Sequence, residues 1–264
     1  MDVVVWCRFQ LPRRIAQGRV VQNNATTAFQ RRVEREVLDD LCVDDPRAQR
    51  SRRDLQHLNR TMGTVSIFLR ALDRSMKHSV PRTILELGAG DASMMLRIAR
   101  NRGPSWRDVR LTLLDRLELV NEETITAFHE IGWTATVETM DVFDWLERPS
   151  VACWDLVIAN LFLHHFRADE LTKLLAAIAR CSRTFICCEP RRSFLPLAAS
   201  HMVGLLGAGP VTREDAVLSV QAGFRSQELS ELWPTSDNVD WHLHEYRAGL
   251  FSHGFVATRV SVRE

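Results

Sequence analysis

The hydrophobic pattern alternates between short apolar runs and longer segments with helical spacing. Apolar runs of strand length occupy residues 83–87, 109–114, 135–140, 154–159 and 184–188. Apolar positions three and four residues apart predict helices between them, over residues 92–101, 119–131 and 168–181. Two late strand patterns, residues 240–246 and 253–260, flank a short loop. The alternation predicts an α/β fold with a seven-stranded, mainly parallel, doubly wound sheet that ends in an antiparallel C-terminal hairpin.

Helical patterns also lie outside this core. Residues 30–42, 47–58 and 64–76 have helical spacing, and the Asp-Asp-Pro sequence at 44–46 separates the first two. A further stretch, about 191–238, predicts a helical insert after the fifth strand, with helices at 195–206, 212–220 and 227–233. We therefore divide the chain into an N-terminal extension with helices (1–63) and a ligand-binding domain (64–264).

The turn after the first strand carries a carboxylate and two glycines. Glu86 lies two residues before Gly88, and Gly90 follows. A dinucleotide-binding turn has a third glycine where this chain has Ser93, and it seats an anionic pyrophosphate. A carboxylate at Glu86 would repel a pyrophosphate and attract a cationic amino group. The turn therefore favours S-adenosylmethionine (SAM) over NAD, although a glycine-rich turn taken alone is also compatible with a purely structural role.

Each of the next four strand patterns also ends at a polar residue. These residues are Asp115, Asp141, Asn160 and Glu189. Asp115 follows Gly90 by 25 residues, close to the spacing of roughly 20 at which an acidic side chain reaches ribose hydroxyls in a βαβ unit. Because ligands of open α/β sheets bind outside the carboxyl ends of the strands, we expect one ligand site there.

These motifs resemble the class I SAM-dependent methyltransferases, within the small-molecule group related to the ubiquinone and menaquinone enzymes. The resemblance spans about residues 64–259 and implies a Rossmann-like fold. Many members have a third glycine where this chain has Ala92. The matching segments are LELGAG at 85–90, LLD at 113–115, MDV at 140–142 and DLVIANLFLHH at 155–165.

The resemblance implies that SAM is the cofactor and assigns roles to residues at the ends of the first four strands. At the end of the first strand, the methionyl part is held by Glu86, Gly88, Ala89 and Gly90, and at the end of the second strand the ribose is held by Asp115 and Arg116. At the end of the third strand, the adenine edge is held by Asp141 and Val142, and at the end of the fourth strand the sulfonium and the acceptor face Asn160 and Leu161.

Candidate groups for the chemistry come from the second half of the chain. His164 and His165 follow the fourth strand, and histidine is suited to proton transfer near neutral pH. Adjacent residues of a helix diverge by about 100°, so only one of the two can face the site if this segment is helical. In the insert and a late strand, His201 is a third catalytic candidate, and Arg191 and Tyr246 are candidate substrate-binding residues. Structural packing or solvation is the alternative for each.

Composition narrows the class of partner. The net charge is +1, which argues against a nucleic-acid partner. No apolar run approaches the roughly 18 residues of a membrane span. Six cysteines lack the C-x-x-C spacing, so we predict neither a disulfide framework nor a metal site, and we expect a cytoplasmic location. The sequence makes no prediction of oligomeric state. Residues 1–32 are arginine-rich, which suits either an irregular extension or a transit peptide.

Missing motifs narrow the methyl acceptor. No Asn/Asp-Pro-Pro-Tyr/Phe motif or Pro-Cys dipeptide follows the fourth strand, which disfavours adenine, glutamine and cytosine methylation. We therefore predict a SAM-dependent methyltransferase that acts on a small molecule, at a hydroxyl or phenolic oxygen of a secondary metabolite or quinone-like compound. Carbon methylation of a quinone or polyketide ring is one alternative, and a non-catalytic binding protein with the same fold is another.

Overall fold

The computed structural model describes residues 30–76, 79–148, 153–235 and 239–260. The segment Arg31–Glu264 forms one compact unit, and the description that follows concerns this unit. The predictions made for residues 1–29 lie outside the described part of the chain. The proposed division at residues 63 and 64 stays a prediction.

One seven-stranded sheet forms the centre of the unit, in the order β3-β2-β1-β4-β5-β7-β6. All neighbouring strands from β3 to β5 are parallel, and β7 runs antiparallel to both β5 and β6. This confirms the predicted seven-stranded α/β sheet with its C-terminal hairpin. The strands are β1 (Thr83–Leu87), β2 (Val109–Asp115), β3 (Trp133–Thr139), β4 (Trp154–Asn160), β5 (Ser182–Pro190), β6 (Trp241–Ala248) and β7 (Ser252–Arg259).

The strand register brings the predicted ligand residues to one edge. Leu87, the last residue of β1, pairs with Leu114 on β2 and with Ala159 on β4. The turn after β1, Asp115 and Asn160 therefore lie side by side at the carboxyl edge. The order of the strands reverses between β1 and β4, which is where open α/β sheets bind ligands.

Helices cover both faces of the sheet over two separate hydrophobic clusters. One cluster includes Phe68, Met95 and Phe128 of the second, third and fourth helices, and the other includes Trp145 and Leu174 of the fifth and sixth. The helices are α1 (Pro46–Thr61), α2 (Thr64–Ser75), α3 (Ser93–Arg102), α4 (Glu122–Glu130), α5 (Val142–Leu146), α6 (Ala168–Cys181), α7 (Phe194–Ser200), α8 (Pro210–Ala222) and α9 (Glu228–Leu232). In the described part of the chain, no helix is long and apolar enough to cross a membrane.

The Asp-Asp-Pro sequence at residues 44–46 marks the start of α1. Pro46 is the first residue of α1, where its missing N–H costs no hydrogen bond, and the Asp45 side chain accepts a hydrogen bond from the Arg47 amide at 2.8 Å. The insert after β5 contains α7, α8 and α9. The predicted helix over 195–206 is wrong in detail, since α7 ends at Ser200 and a short 3-10 helix covers Val203–Leu206.

The predicted helix over residues 30–42 is wrong. Within it, only Val37–Asp40 is helical, as a short 3-10 helix, and none of these four residues is buried. The amides of Val37 and Leu38 donate to the two carboxylate oxygens of Asp215, at 2.7 and 3.0 Å. The segment thus bonds across the fold to α8, and its own backbone bonds are confined to this short turn. We call residues 31–41 the N-terminal strap.

Candidate functional site

A cleft of about 550 Å³ opens at the carboxyl edge of the sheet, a volume in the range of small-molecule sites. It is lined by the turns that follow β1 to β4 and by the N-terminal strap. Six of the ten predicted cofactor residues line it directly: Gly88, Asp115, Arg116, Asp141, Val142 and Leu161. The other four, Glu86, Ala89, Gly90 and Asn160, belong to the same turns or to the strand ends beneath them.

Glu86 is a buried carboxylate without a counter-charge. It is 2% exposed, and its Oε2 has no hydrogen-bond partner among the described residues. Burial raises the pKa of Glu86 well above 4.5, and the nearby negative charges of Asp91 and Asp115 raise it further. An unpaired buried acceptor is costly, so this position suits a ligand that brings a cationic donor.

The glycine turn is shaped for close approach. Gly88 and Gly90 both have positive φ, 67° and 56°. A Cβ on Gly88 would lie 2.4 Å from the ring of Phe162, so no other residue fits there without moving that ring. The Gly90 amide donates to Asp115 Oδ2 at 2.8 Å, which fixes the turn against the end of β2. The turn is therefore held against the end of β2, with the Phe162 ring packed on Gly88.

The two aspartates at the ends of β2 and β3 are each oriented by backbone amides. Asp115 Oδ1 accepts from the Leu117 amide at 3.0 Å, so both of its oxygens have a local donor. Asp141 caps α5 and accepts from the Phe143 amide at 2.8 Å. Because each carboxylate oxygen can accept more than one hydrogen bond, both side chains retain acceptor capacity toward the cleft.

The end of β4 forms the opposite wall. Leu161 adopts a left-handed conformation with φ 51°, an uncommon state for a residue with a branched side chain. Its amide donates to the Cys188 carbonyl at 3.0 Å. Asn160 Oδ1 is buried and has no partner in the described part of the chain. Asn160 and Glu86 thus present two unpaired polar atoms at the carboxyl edge of the sheet.

The N-terminal strap forms a wall of the cleft. Val33, Glu34, Arg35 and Asp39 line the cleft from the strap. The segment lies over the cleft as an irregular stretch with one short 3-10 turn, instead of as the predicted helix.

Arg31 ties the start of the strap to the body of the unit. Its guanidinium donates to the Ala222 carbonyl at 2.7 Å and to the Phe166 carbonyl at 2.9 Å, and it lies 4.6 Å from the centre of the Phe224 ring. The strap is therefore anchored by polar and cation–π contacts at one end and by Asp215 near the other.

His164 lies between two carboxylates. Its Nδ1 is 2.8 Å from Glu189 Oε2, and its Nε2 is 3.4 Å from Glu36 Oε1 of the strap. Burial by itself would lower the pKa of His164, but its contacts with Glu189 and Glu36 raise it to about 9. The two carboxylates therefore stabilise the charged form of the ring. Glu189 also accepts from the amides of Phe162 and Leu163, so it organises the whole turn after β4.

The structure brings one of the other predicted catalytic and substrate residues to the cleft. His165 lines it and stands 3.5 Å from Asp39 Oδ2. His201 lines a separate groove beside α8. Arg191 bridges to Phe224, and Tyr246 packs against the cluster under α2 and α3. His201, Arg191 and Tyr246 are not among the residues that line the cleft.

Three aromatic residues of the cleft were not predicted from the sequence, of which Phe143 follows β3 and the other two follow β4. Phe162 and Phe166 line it and pack edge to face, with ring centres 5.0 Å apart. Their position just after Asn160 was the available signal, because residues that follow a strand of this sheet enter the cleft.

Comparisons with known proteins identify the fold. No model of a known protein family matches the sequence, and neither does any curated protein. Among solved structures, the plantazolicin methyltransferase BpumL in complex with S-adenosylhomocysteine (SAH) is similar, with a TM-score of 0.55 and 12% identity over 81% of this chain and 91% of that one. Magnesium protoporphyrin IX methyltransferase (ChlM) from Synechocystis PCC 6803 aligns with a TM-score of 0.46 and 15% identity, over 76% of this chain and 84% of that one. Together with the strand order, the likeness to BpumL shows that this chain has the fold of the class I SAM-dependent methyltransferases.

Proposed function

We propose that the protein is a SAM-dependent methyltransferase with a small-molecule acceptor. The observation that carries the proposal is the buried, unpaired carboxylate of Glu86 beside the glycine turn. A phosphate-bearing cofactor would meet the negative charges of Glu86, Asp91 and Asp115 there. SAM has a cationic amino group and no phosphate, so it complements the same charges.

The residues of the cleft fit SAM as a group. Glu86 would receive the methionyl amino group, Asp115 the ribose hydroxyls, and Asp141 with the Val142 backbone the adenine edge. SAM supplies a methyl group already activated by its sulfonium. The protein's part is to hold the acceptor in line with that methyl group and to exclude water, which is chiefly a matter of positioning.

On the acceptor side, we assign His165 as the catalytic residue among the three predicted histidines. It lines the cleft, whereas His164 is buried between two carboxylates and His201 lies in another groove. The aromatic pair Phe162 and Phe166 offers an apolar surface against which a ring can pack. These features favour a hydroxyl or phenolic oxygen on a small aromatic or quinone-like acceptor. The described cysteines are free thiols, and on that ground we place the reaction in the cytoplasm.

Titration calorimetry with SAM and SAH tests the proposal directly. We expect both to bind one site per chain with micromolar affinity, and the absence of heat at high micromolar concentration would overturn the proposal. A metabolite extract incubated with methyl-labelled SAM then reveals the acceptor. Nuclear magnetic resonance of the labelled product separates an O-methyl group from a C-methyl group.

A further inference from the structure

Three side chains from two distant parts of the sequence converge beside the cleft. Glu36 comes from the strap, and His164 and His165 come from the turn after β4. One potential ligand atom from each lies within 4.8 Å of the others. Glu36 and His164 are buried, and His165 is partly exposed and lines the cleft. Two imidazoles and a carboxylate are a ligand set typical of catalytic zinc sites.

The separation of Glu36 and His164 fits a shared ion better than a direct hydrogen bond. Their Oε1 and Nε2 atoms are 3.4 Å apart, whereas a charge-assisted hydrogen bond has a length of about 2.7–2.9 Å. Ligand atoms about 2.05 Å from a tetrahedral ion lie roughly 3.3 Å from each other. The pair is therefore already spaced as two corners of a coordination tetrahedron.

A second carboxylate orients His164 in the way that metal-binding histidines require. Glu189 is fully buried and contacts His164 Nδ1 at 2.8 Å, which leaves Nε2 directed at Glu36. Metal-ligating histidines usually donate their other ring N–H to such a carboxylate, which fixes the ring and raises its basicity. The amides of Phe162 and Leu163 hold Glu189 in place, so the arrangement is built into the turn.

We propose that Glu36, His164 and His165 bind one divalent transition-metal ion, of the Zn²⁺ or Co²⁺ type. Three protein ligands leave a tetrahedral ion one position for water or for an oxygen of the acceptor. The ion would also join the N-terminal strap to the turn after β4 and so hold the cleft wall in place. The contact with an acceptor rests on the proposed function, but the binding of the ion does not.

The test uses the full 264-residue chain after treatment with a chelator. Titration with CoCl₂, followed by visible d–d absorption, and calorimetry with ZnCl₂ are expected to show one site per chain. Glu36→Gln and His165→Ala should each weaken the affinity at least about tenfold, since each removes a ligand or its charge. His57→Ala, which changes an exposed histidine of α1, is the matched control and should bind like the unaltered chain.

Several results would overturn the proposal. One is the absence of saturable binding to the unaltered chain. Another is an affinity in Glu36→Gln and His165→Ala that equals that of the unaltered chain. A third is a thiolate-to-cobalt charge-transfer band, which would indicate a cysteine such as Cys42 as a ligand instead. Circular dichroism checks that each variant folds, and His165→Asn replaces His165→Ala if the latter does not. Because SAM is absent from these titrations, they can fail while SAM binding and methyl transfer succeed, and the reverse also holds.

Discussion

Glu86 is a buried carboxylate whose Oε2 has no hydrogen-bond partner in the described part of the chain. A bond between its carboxylate and the amino group of SAM would contribute about 1.5–3 kcal/mol. We therefore expect Glu86→Gln to weaken SAM binding about 10- to 100-fold in titration calorimetry. Glu130→Gln, at an exposed position at the end of α4, is the control. Unchanged affinity in the Glu86 variant would show that the amino group binds elsewhere.

The same substitution should stabilise the protein without ligand. Burial raises the pKa of Glu86 in the folded state above its ordinary value of 4.5. The protonated carboxyl therefore makes its whole contribution to the free energy of unfolding below pH 4.5. That contribution is lost as the pH rises through the folded-state pKa. Urea denaturation should therefore find Glu86→Gln more stable by about 1–2 kcal/mol at pH 8, with a much smaller difference at pH 4. A difference that stays constant with pH would contradict this prediction.

Gly88 is constrained by both its φ and its neighbour. Gly88→Ala would combine left-handed strain with a contact of 2.4 Å to the Phe162 ring. Gly132 shares the positive φ, 86°, but a Cβ there would meet no atom within 4 Å. We expect Gly132→Ala to cost about 1–2 kcal/mol of unfolding free energy and Gly88→Ala to cost more and to weaken SAM binding. Equal losses in the two variants would rule out a role for Phe162.

At the scale of elements, one carboxylate accepts both hydrogen bonds that tie the Val37 and Leu38 amides of the N-terminal strap to α8. Asp215→Ala removes the acceptors of the Val37 and Leu38 amides, while the buried aspartate lies on α8, away from the cleft. Hydrogen exchange of these two amides should accelerate at least about tenfold, since their protection rests on those bonds. Glu214→Ala, its exposed neighbour, should leave the exchange unchanged. Equal exchange in the Asp215 variant would mean that other contacts hold the strap.

Local patterns predicted the elements that carry the cofactor residues. β1 and its glycine turn, and the acidic ends of β2 and β3, are encoded within a few residues each, so periodicity and turn chemistry suffice. The strap could not be predicted in this way. Its amides bond to Asp215, which lies 178 residues from Val37, and no local rule records such a partner.

The histidines illustrate the same limit. Their place after β4 predicts that at least one of them faces the cleft, and His165 lines it whereas His164 does not. What surrounds His164 could not be read locally, because Glu36 and Glu189 arrive from other elements. The proposed metal site depends on the same distant partner, Glu36, and so has no local sequence signal.

At the scale of the whole molecule, SAM binding should raise both the free energy of unfolding and the Tm. At a concentration 100 times its Kd, SAM is expected to stabilise the folded chain by about 2.7 kcal/mol. In a protein of this size that corresponds to a rise in Tm of about 5–10 °C. NAD is the discriminating control, since its pyrophosphate would face Glu86, Asp91 and Asp115. A rise of similar size with NAD would contradict the assignment of the cofactor.

The anchoring of the N-terminal strap has a consequence for biosynthesis. The strap leaves the ribosome before the sheet does, yet Arg31 bonds to Ala222 and Glu36 to Ser219, 191 and 183 residues later. Contacts of such separation form late in folding, because a long loop must close first. β1 to β4 and their turns can assemble while the strap is still free. The earliest-made wall of the cleft thus cannot dock until α8 has been made, and until then this side of the cleft is open to solvent in a nascent chain.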